Sequence, residues 1–116
     1  MNKLRRLQLK ADKLTYEKYL QKNCEICGKR AIQLHHFYPK GAYGALRYTP
    51  ENLISLCLGC HFRLTHQNRR LEDIIREKRG EEWYKELHKK SLEIKYSYKN
   101  QKYYEDIIAY LEKLIK

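Results

Sequence analysis

Two cysteine pairs and a group of imidazoles carry the chemistry legible in this chain. Cys24-Glu25-Ile26-Cys27 and Cys57-Leu58-Gly59-Cys60 each separate two thiols by two residues. That spacing lets the backbone turn back with both sulfurs on one side, so four thiolates can close a tetrahedron around one ion such as zinc. Gly28, after the first pair, and Gly59, inside the second, suit tight turns. Between the pairs lie 29 residues, more than a simple zinc ribbon needs. This insert holds His35-His36 and Asn52, and His61 follows the last cysteine directly. An ion gripped by the cysteines would clamp the ends of the insert and force these groups together. Converging imidazole and amide groups can bind a divalent cation and leave one imidazole as a base. Neighbouring residues on a strand point to opposite faces, so His35 and His36 must divide these roles. His66 is the remaining ligand candidate, although five residues from His61 a helix turns it roughly 140° away, and Thr65 holds the i+4 position. His88, in a charged stretch over 81–95, reads as an ordinary surface histidine.

The elements that must position these groups follow from apolar periodicity. Leu4, Leu7, Ala11 and Leu14 recur at helical spacing, predicting an amphipathic helix from residue 3 to about 22. Ile32 to Phe37 reads as a short strand and Leu53 to Leu56 as a second. Tyr38 to Asn52, with Pro39, Gly41 and Gly44, reads as a loop between them. A helix beginning near Leu58 would carry His61. Leu71, Ile74 and Ile75 start another, which Gly80 ends. Trp83, Leu87 and Ile94 mark a further helix, then a polar break over 97–101, then a last one through Ile107, Ile108, Leu111, Leu114 and Ile115. The expectation is one domain over 1–116: a basic helix (1–22), a metal-bearing core (23–69) and a helical tail (70–116).

Composition narrows the partner. The chain has 116 residues, of which 34% are charged, and its mean hydropathy is −0.86. A core this small often leans on a metal. No apolar run approaches the roughly 20 residues a membrane helix needs, and no extended amphipathic basic face of the membrane kind is present. MNKLRRLQLKADK has no apolar segment after its positive charges. The expectation is therefore a cytoplasmic chain whose cysteines ligate metal instead of forming disulfides. Residues 1–66 carry 12 Lys/Arg against 4 Asp/Glu, a net of +8, whereas 67–116 carry 13 against 10, a net of +3. An excess of that size draws polyanions, nucleic acid first. Lys3, Arg5, Arg6 and Lys10 on the first helix would track a phosphate backbone. Lys40, Arg47 and Arg63 flank the histidines and could hold phosphates. The tyrosines of the last helix, Tyr103, Tyr104 and Tyr110, could close the core or build a homodimer.

Cys24-x2-Cys27, then Leu34-His35-His36-Phe37-x-Pro39, then Glu51-Asn52-Leu53-Ile54-x-Leu56-Cys57-x2-Cys60-His61 resembles the HNH endonuclease motif in its zinc-bearing form. The resemblance covers about 24–66. It implies an α+β, mostly helical protein with a small ββα-metal core, a four-cysteine structural zinc, an N-terminal helix and C-terminal helices. By position, His36 matches the general base that activates water, and His35 the metal ligand before it. Asn52 matches the middle asparagine, which ligates metal or fixes the loop, and His61 the metal ligand on the helix. A looser likeness runs through Arg47-Tyr48 and the tail Ile75-x4-Gly80-Glu81-Glu82-Trp83-Tyr84-x2-Leu87. It resembles phage recombination nucleases of the NinG (Rap) type, which act on branched DNA. The chain departs from them in having His35 where they tend to have Gly.

The implied activity is metal-dependent hydrolysis of DNA phosphodiesters, with a divalent ion such as Mg²⁺ or Mn²⁺ beside the structural zinc, leaving 5′-phosphate and 3′-hydroxyl ends. The alternative is a non-catalytic zinc module that binds DNA or RNA; such a module has no need of the His35-His36/Asn52/His61 set. A two-metal RING-type interaction domain would need more ligand pairs than the chain supplies.

Overall fold

The computed structural model describes residues 1–39, 46–66, 70–93 and 100–116, the side chains of residues 64–66, 70 and 71 excepted. Lys40, the His66 side chain and Ile94 lie outside the described residues, as do positions 97–99 of the expected polar break. Helix α1 spans Lys3–Tyr19, and Asn2 caps it by accepting the Arg5 N–H at 2.8 Å. It stops three residues before the expected end because the chain is diverted into the first cysteine hairpin. The Gln21 N–H goes to Ser55 Oγ at 2.9 Å, and the Ala31 N–H goes to the Lys22 carbonyl at 2.9 Å.

Strands β1 (Gln33–His36) and β2 (Leu53–Leu56) form an antiparallel pair that aligns His35 with Ile54 and His36 with Leu53. Ladder-like bonds from the Ile32 N–H to Leu56 O and from the Phe37 N–H to Asn52 O account for the longer strand expected over 32–37. A 3-10 turn, Pro50–Asn52, delivers Asn52 to the start of β2. Helix α2 (Leu58–His66) follows the second cysteine pair at once, completing a ββα unit.

Three more helices follow, α3 (Arg70–Arg79), α4 (Glu81–Leu92) and α5 (Gln101–Ile115). Gly80 joins the first two at φ +96°, a conformation that side chains resist. Gln101, expected in the break, opens α5 behind an Asn100 cap. Two clusters form the interior. Cys24, Cys57 and Cys60 pack with Ile54, Leu56 and Ile75, with Phe37 and Trp83 against them. Ala11 of α1 packs with Tyr48, Tyr104 and Ile108, with Tyr103 alongside, so two of the three tyrosines of α5 help close the core while Tyr110 faces outward. The tail is stapled to the centre through Arg79, which pairs with Glu25 and donates to Leu53 O at 2.9 Å, and through Trp83 Nε1, which donates to Glu51 O at 2.8 Å. The architecture is the mostly helical α+β arrangement with a small ββα-like core expected from the resemblance.

Candidate functional site

The cysteines of both pairs converge. Their four sulfurs lie within 4.8 Å of one another, and no disulfide joins them. Cys27 Sγ and Cys57 Sγ are 3.5 Å apart, close to the roughly 3.8 Å edge of a tetrahedron with Zn–S arms of about 2.3 Å. The first pair reverses through Gly28 at φ +81°, as its position promised. The second pair works differently. Gly59 sits in the first turn of α2 instead of a tight turn, and Cys57 Sγ accepts the Cys60 N–H at 3.4 Å, capping the helix. That bond, outweighing burial and helped by the Cys27 thiol, lowers the Cys57 thiol below its ordinary range. Burial alone would raise Cys24, yet backbone hydrogen bonds from Cys27, Cys57 and Ile26 outweigh it and bring the thiol down to about 6. Cys60 is pushed up to about 12 by burial, and Arg63 Nη2 donates to its sulfur at 3.2 Å. A buried set holding thiols of both tendencies needs a cation to bring all four to thiolate. The donor set fits structural zinc.

The two faces of β1 separate the adjacent histidines. His35 turns toward α2 and α3: its ring centroid is 6.2 Å from that of His61, and its Nε2 lies 4.0 Å from Glu72 Oε2. His35 Nε2 is buried and has no hydrogen-bond partner among the described residues. A buried imidazole nitrogen without a partner is costly unless something binds it, and the His61 ring stands edge-on beside it, although these donors do not converge as the cysteines do. His36 turns the other way. With Leu34 it lines a cavity of about 80 Å³ against Asp12, Thr15, Tyr16, Arg47 and Tyr48. Its Nε2 lies 2.9 Å from the Arg47 carbonyl. A carbonyl only accepts, so Nε2 carries the proton and neutral His36 keeps its lone pair on Nδ1.

Asn52 is fully buried, and its amide is committed to the loop. Its Oδ1 accepts the Tyr38 N–H at 2.8 Å, and its Nδ2 donates to Tyr38 O at 3.1 Å and to Leu46 O at 3.2 Å. Of the two roles the resemblance allows, these bonds are those of loop fixing; the oxygen a metal would take is occupied by a backbone N–H.

The candidate phosphate ligands divide. Lys3, Arg5, Arg6 and Lys10 stand exposed on α1, with Lys10 3.5 Å from Glu112 and Arg5 donating to Gln8. Arg47 instead makes a two-pronged pair with Asp12 at 2.9 and 2.7 Å, which raises its pKa further. Tyr48 donates to the same carboxylate at 2.9 Å; burial first and Asp12 second hold its phenol far above the ordinary range, so it remains a donor. The sequence patterns do not single out Asp12, although it is one of only two acids among the basic residues of 1–22. They do not single out Glu72 either, and nothing in its local pattern marks it.

A short antiparallel pair feeding a helix, with four converging thiols on one side and two imidazoles on another, defines a metal-binding ββα domain. Residues 24–67 match the family model of HNH endonucleases, a span that holds both cysteine pairs, both strands and α2. The match supports a nuclease-type function on nucleic acid in general. No curated protein and no solved structure matches the chain. Among the described residues, no helix is long and apolar enough to cross a membrane.

Proposed function

We propose that the protein is a metal-dependent DNA endonuclease that hydrolyses phosphodiester bonds, with His35 and His61 holding a catalytic divalent ion and His36 acting as general base. The observation that carries this reading is the pairing of His35 and His61 around a buried Nε2 that has no hydrogen-bond partner, within a segment matching the HNH endonuclease model. When bound, the ion supplies Lewis-acid stabilisation of the charge that develops on the phosphate and the leaving 3′-oxygen. His36, fixed by the Arg47 carbonyl, takes the proton of the attacking water at Nδ1. Asn52 ties Tyr38 and Leu46 together and so sets the geometry of the loop that supplies that carbonyl. Cys24, Cys27, Cys57 and Cys60 hold a structural zinc that keeps β2 and α2 in register. The exposed cations of α1 track the DNA backbone without reading bases. The likeness of the tail over 75–87 to phage recombination nucleases supports branched DNA as the substrate.

The test is cleavage of linear, nicked, flapped and four-way DNA with Mg²⁺, Mn²⁺ or Zn²⁺. His36→Ala should lower the rate by roughly 10²- to 10⁴-fold with zinc content and DNA affinity unchanged, the usual worth of a positioned base. His61→Ala should also stop cleavage, but excess divalent ion should partly restore it, because a ligand and not the base is missing. The parent rate should rise with pH as His36 loses its second ring proton, because only neutral imidazole can accept one from water. If the parent cuts nothing with any divalent ion, the protein is a zinc-bearing nucleic-acid-binding module instead.

A further inference from the structure

We propose that Glu72, on α3 and outside the matched segment 24–67, is the third protein ligand of the divalent ion at His35 and His61, and that the resulting two-imidazole, one-carboxylate set selects Mn²⁺-type transition ions over Mg²⁺. The inference rests on the cation site proposed above and adds both a residue and a metal class to it.

The geometry points there from three sides. Glu72 Oε2 lies 4.0 Å from His35 Nε2, the buried nitrogen without a hydrogen-bond partner. That is too long for a hydrogen bond, whose reach ends near about 3.2 Å. Two donors sharing one ion, on arms of about 2.1 Å, stand between about 3.0 Å apart at a right angle and about 4.2 Å apart when opposite. The observed separation falls inside that range.

Arg76, the described cation one helical turn along α3 from Glu72, is held elsewhere. It is gripped by Glu81 at 2.8 and 3.0 Å and lies 3.7 Å from the ring centroid of Tyr84. The anion sits in the first turn of α3, where the helix dipole favours it. His35 is 14% exposed and Glu72 33%, so the donors are anchored on the protein side while a side stays open for water and phosphate. Among the described residues only the four cysteines bring three or more metal donors within 4.8 Å of one another. As a set, His35, His61 and Glu72 stand farther apart than that, so binding there requires their side chains to close on the ion.

The donor types decide the metal. Mg²⁺ demands an oxygen octahedron and sheds water reluctantly, whereas imidazole nitrogen suits first-row transition ions. A lone carboxylate beside two imidazoles offsets one of the ion's two positive charges, leaves the other for a phosphate, and keeps nitrogen donors in the majority.

Titration of the zinc-loaded full chain with Mn²⁺, followed by the paramagnetic resonance of the free ion, tests this without DNA. The parent should bind one Mn²⁺ in addition to its zinc, and a hundredfold excess of Mg²⁺ should leave it bound. Glu72→Gln should weaken Mn²⁺ binding by about tenfold or more, with Glu72→Asp retaining part of it and zinc content and melting unchanged in both. Parental affinity in Glu72→Gln, alongside loss in His61→Ala, would overturn the role of Glu72 and leave the cation site standing. Ready displacement by Mg²⁺ would overturn the metal preference. A parent that binds no Mn²⁺ at all would overturn both this inference and the catalytic reading beneath it.

Discussion

The four cysteines and the proposed histidine set share one ββα frame, yet they are assembled to different degrees. The sulfurs already stand within 4.8 Å of one another, whereas the His35 and His61 rings are 6.2 Å apart with Glu72 4.0 Å from one of them. The difference lies in what supports each set. Each cysteine pair is closed by its own local turn, Gly28 in one case and the first turn of α2 in the other, and the two are joined by the buried strand β2. The histidine set draws on β1, α2 and α3, elements whose mutual distance is set only by packing. A preassembled site suits an ion that holds structure permanently. A looser, partly open one suits an ion that must exchange ligands with water and phosphate.

That contrast can be broken most severely at the cysteines. Cys57→Ser with Cys60→Ser should abolish zinc binding and unfold the central ββα unit, since structural zinc in small modules contributes on the order of 10 kcal/mol. Circular dichroism and metal analysis report it directly, and a folded, zinc-free double variant would show that the cysteine set is dispensable.

A smaller effect is expected at Asn52. Asn52→Ala leaves the Tyr38 N–H and the Tyr38 and Leu46 carbonyls without their side-chain partner, which should cost about 2–4 kcal/mol in a urea melt while zinc stays bound. Retained stability would remove the loop clamp from the account.

Adding Mn²⁺ to the zinc-loaded protein should stabilise it by only about 2.7 kcal/mol at a hundredfold excess over its dissociation constant. Calorimetric unfolding at rising Mn²⁺ would measure this. A gain rivalling that of zinc would mean that both sets are structural.

The smallest change in stability, within about 0.5 kcal/mol, is expected on replacing Lys3, Arg5, Arg6 and Lys10 by Gln, because all four are exposed. DNA affinity should nevertheless fall for every sequence alike, and the dependence of log K on log salt should flatten by up to about 0.9 for each phosphate left without its cation. An unchanged salt slope would leave α1 with packing against α5 as its whole role.

Much of this arrangement is legible in the chain. The two cysteine spacings, the glycine after the first pair and the excess of positive charge are local or compositional properties, and they carry over whatever the fold does. The second strand is readable to the residue because an apolar segment bounded by a turn and a cysteine has only one way to be buried. Strand alternation by itself requires His35 and His36 to face apart. What the sequence could not determine depends on which elements meet. Where α1 ends is decided by Ser55 capturing the Gln21 N–H, a bond across 34 positions. That Arg47 answers to Asp12, that the amide of Asn52 closes a loop, and that Glu72 reaches His35 are outcomes of docking α1 and α3 against the sheet. Spacing along a chain encodes a turn or a helix face, because those depend on near neighbours. It does not encode the distance between side chains tens of residues apart, which is fixed only when apolar faces pack and buried polar groups find partners.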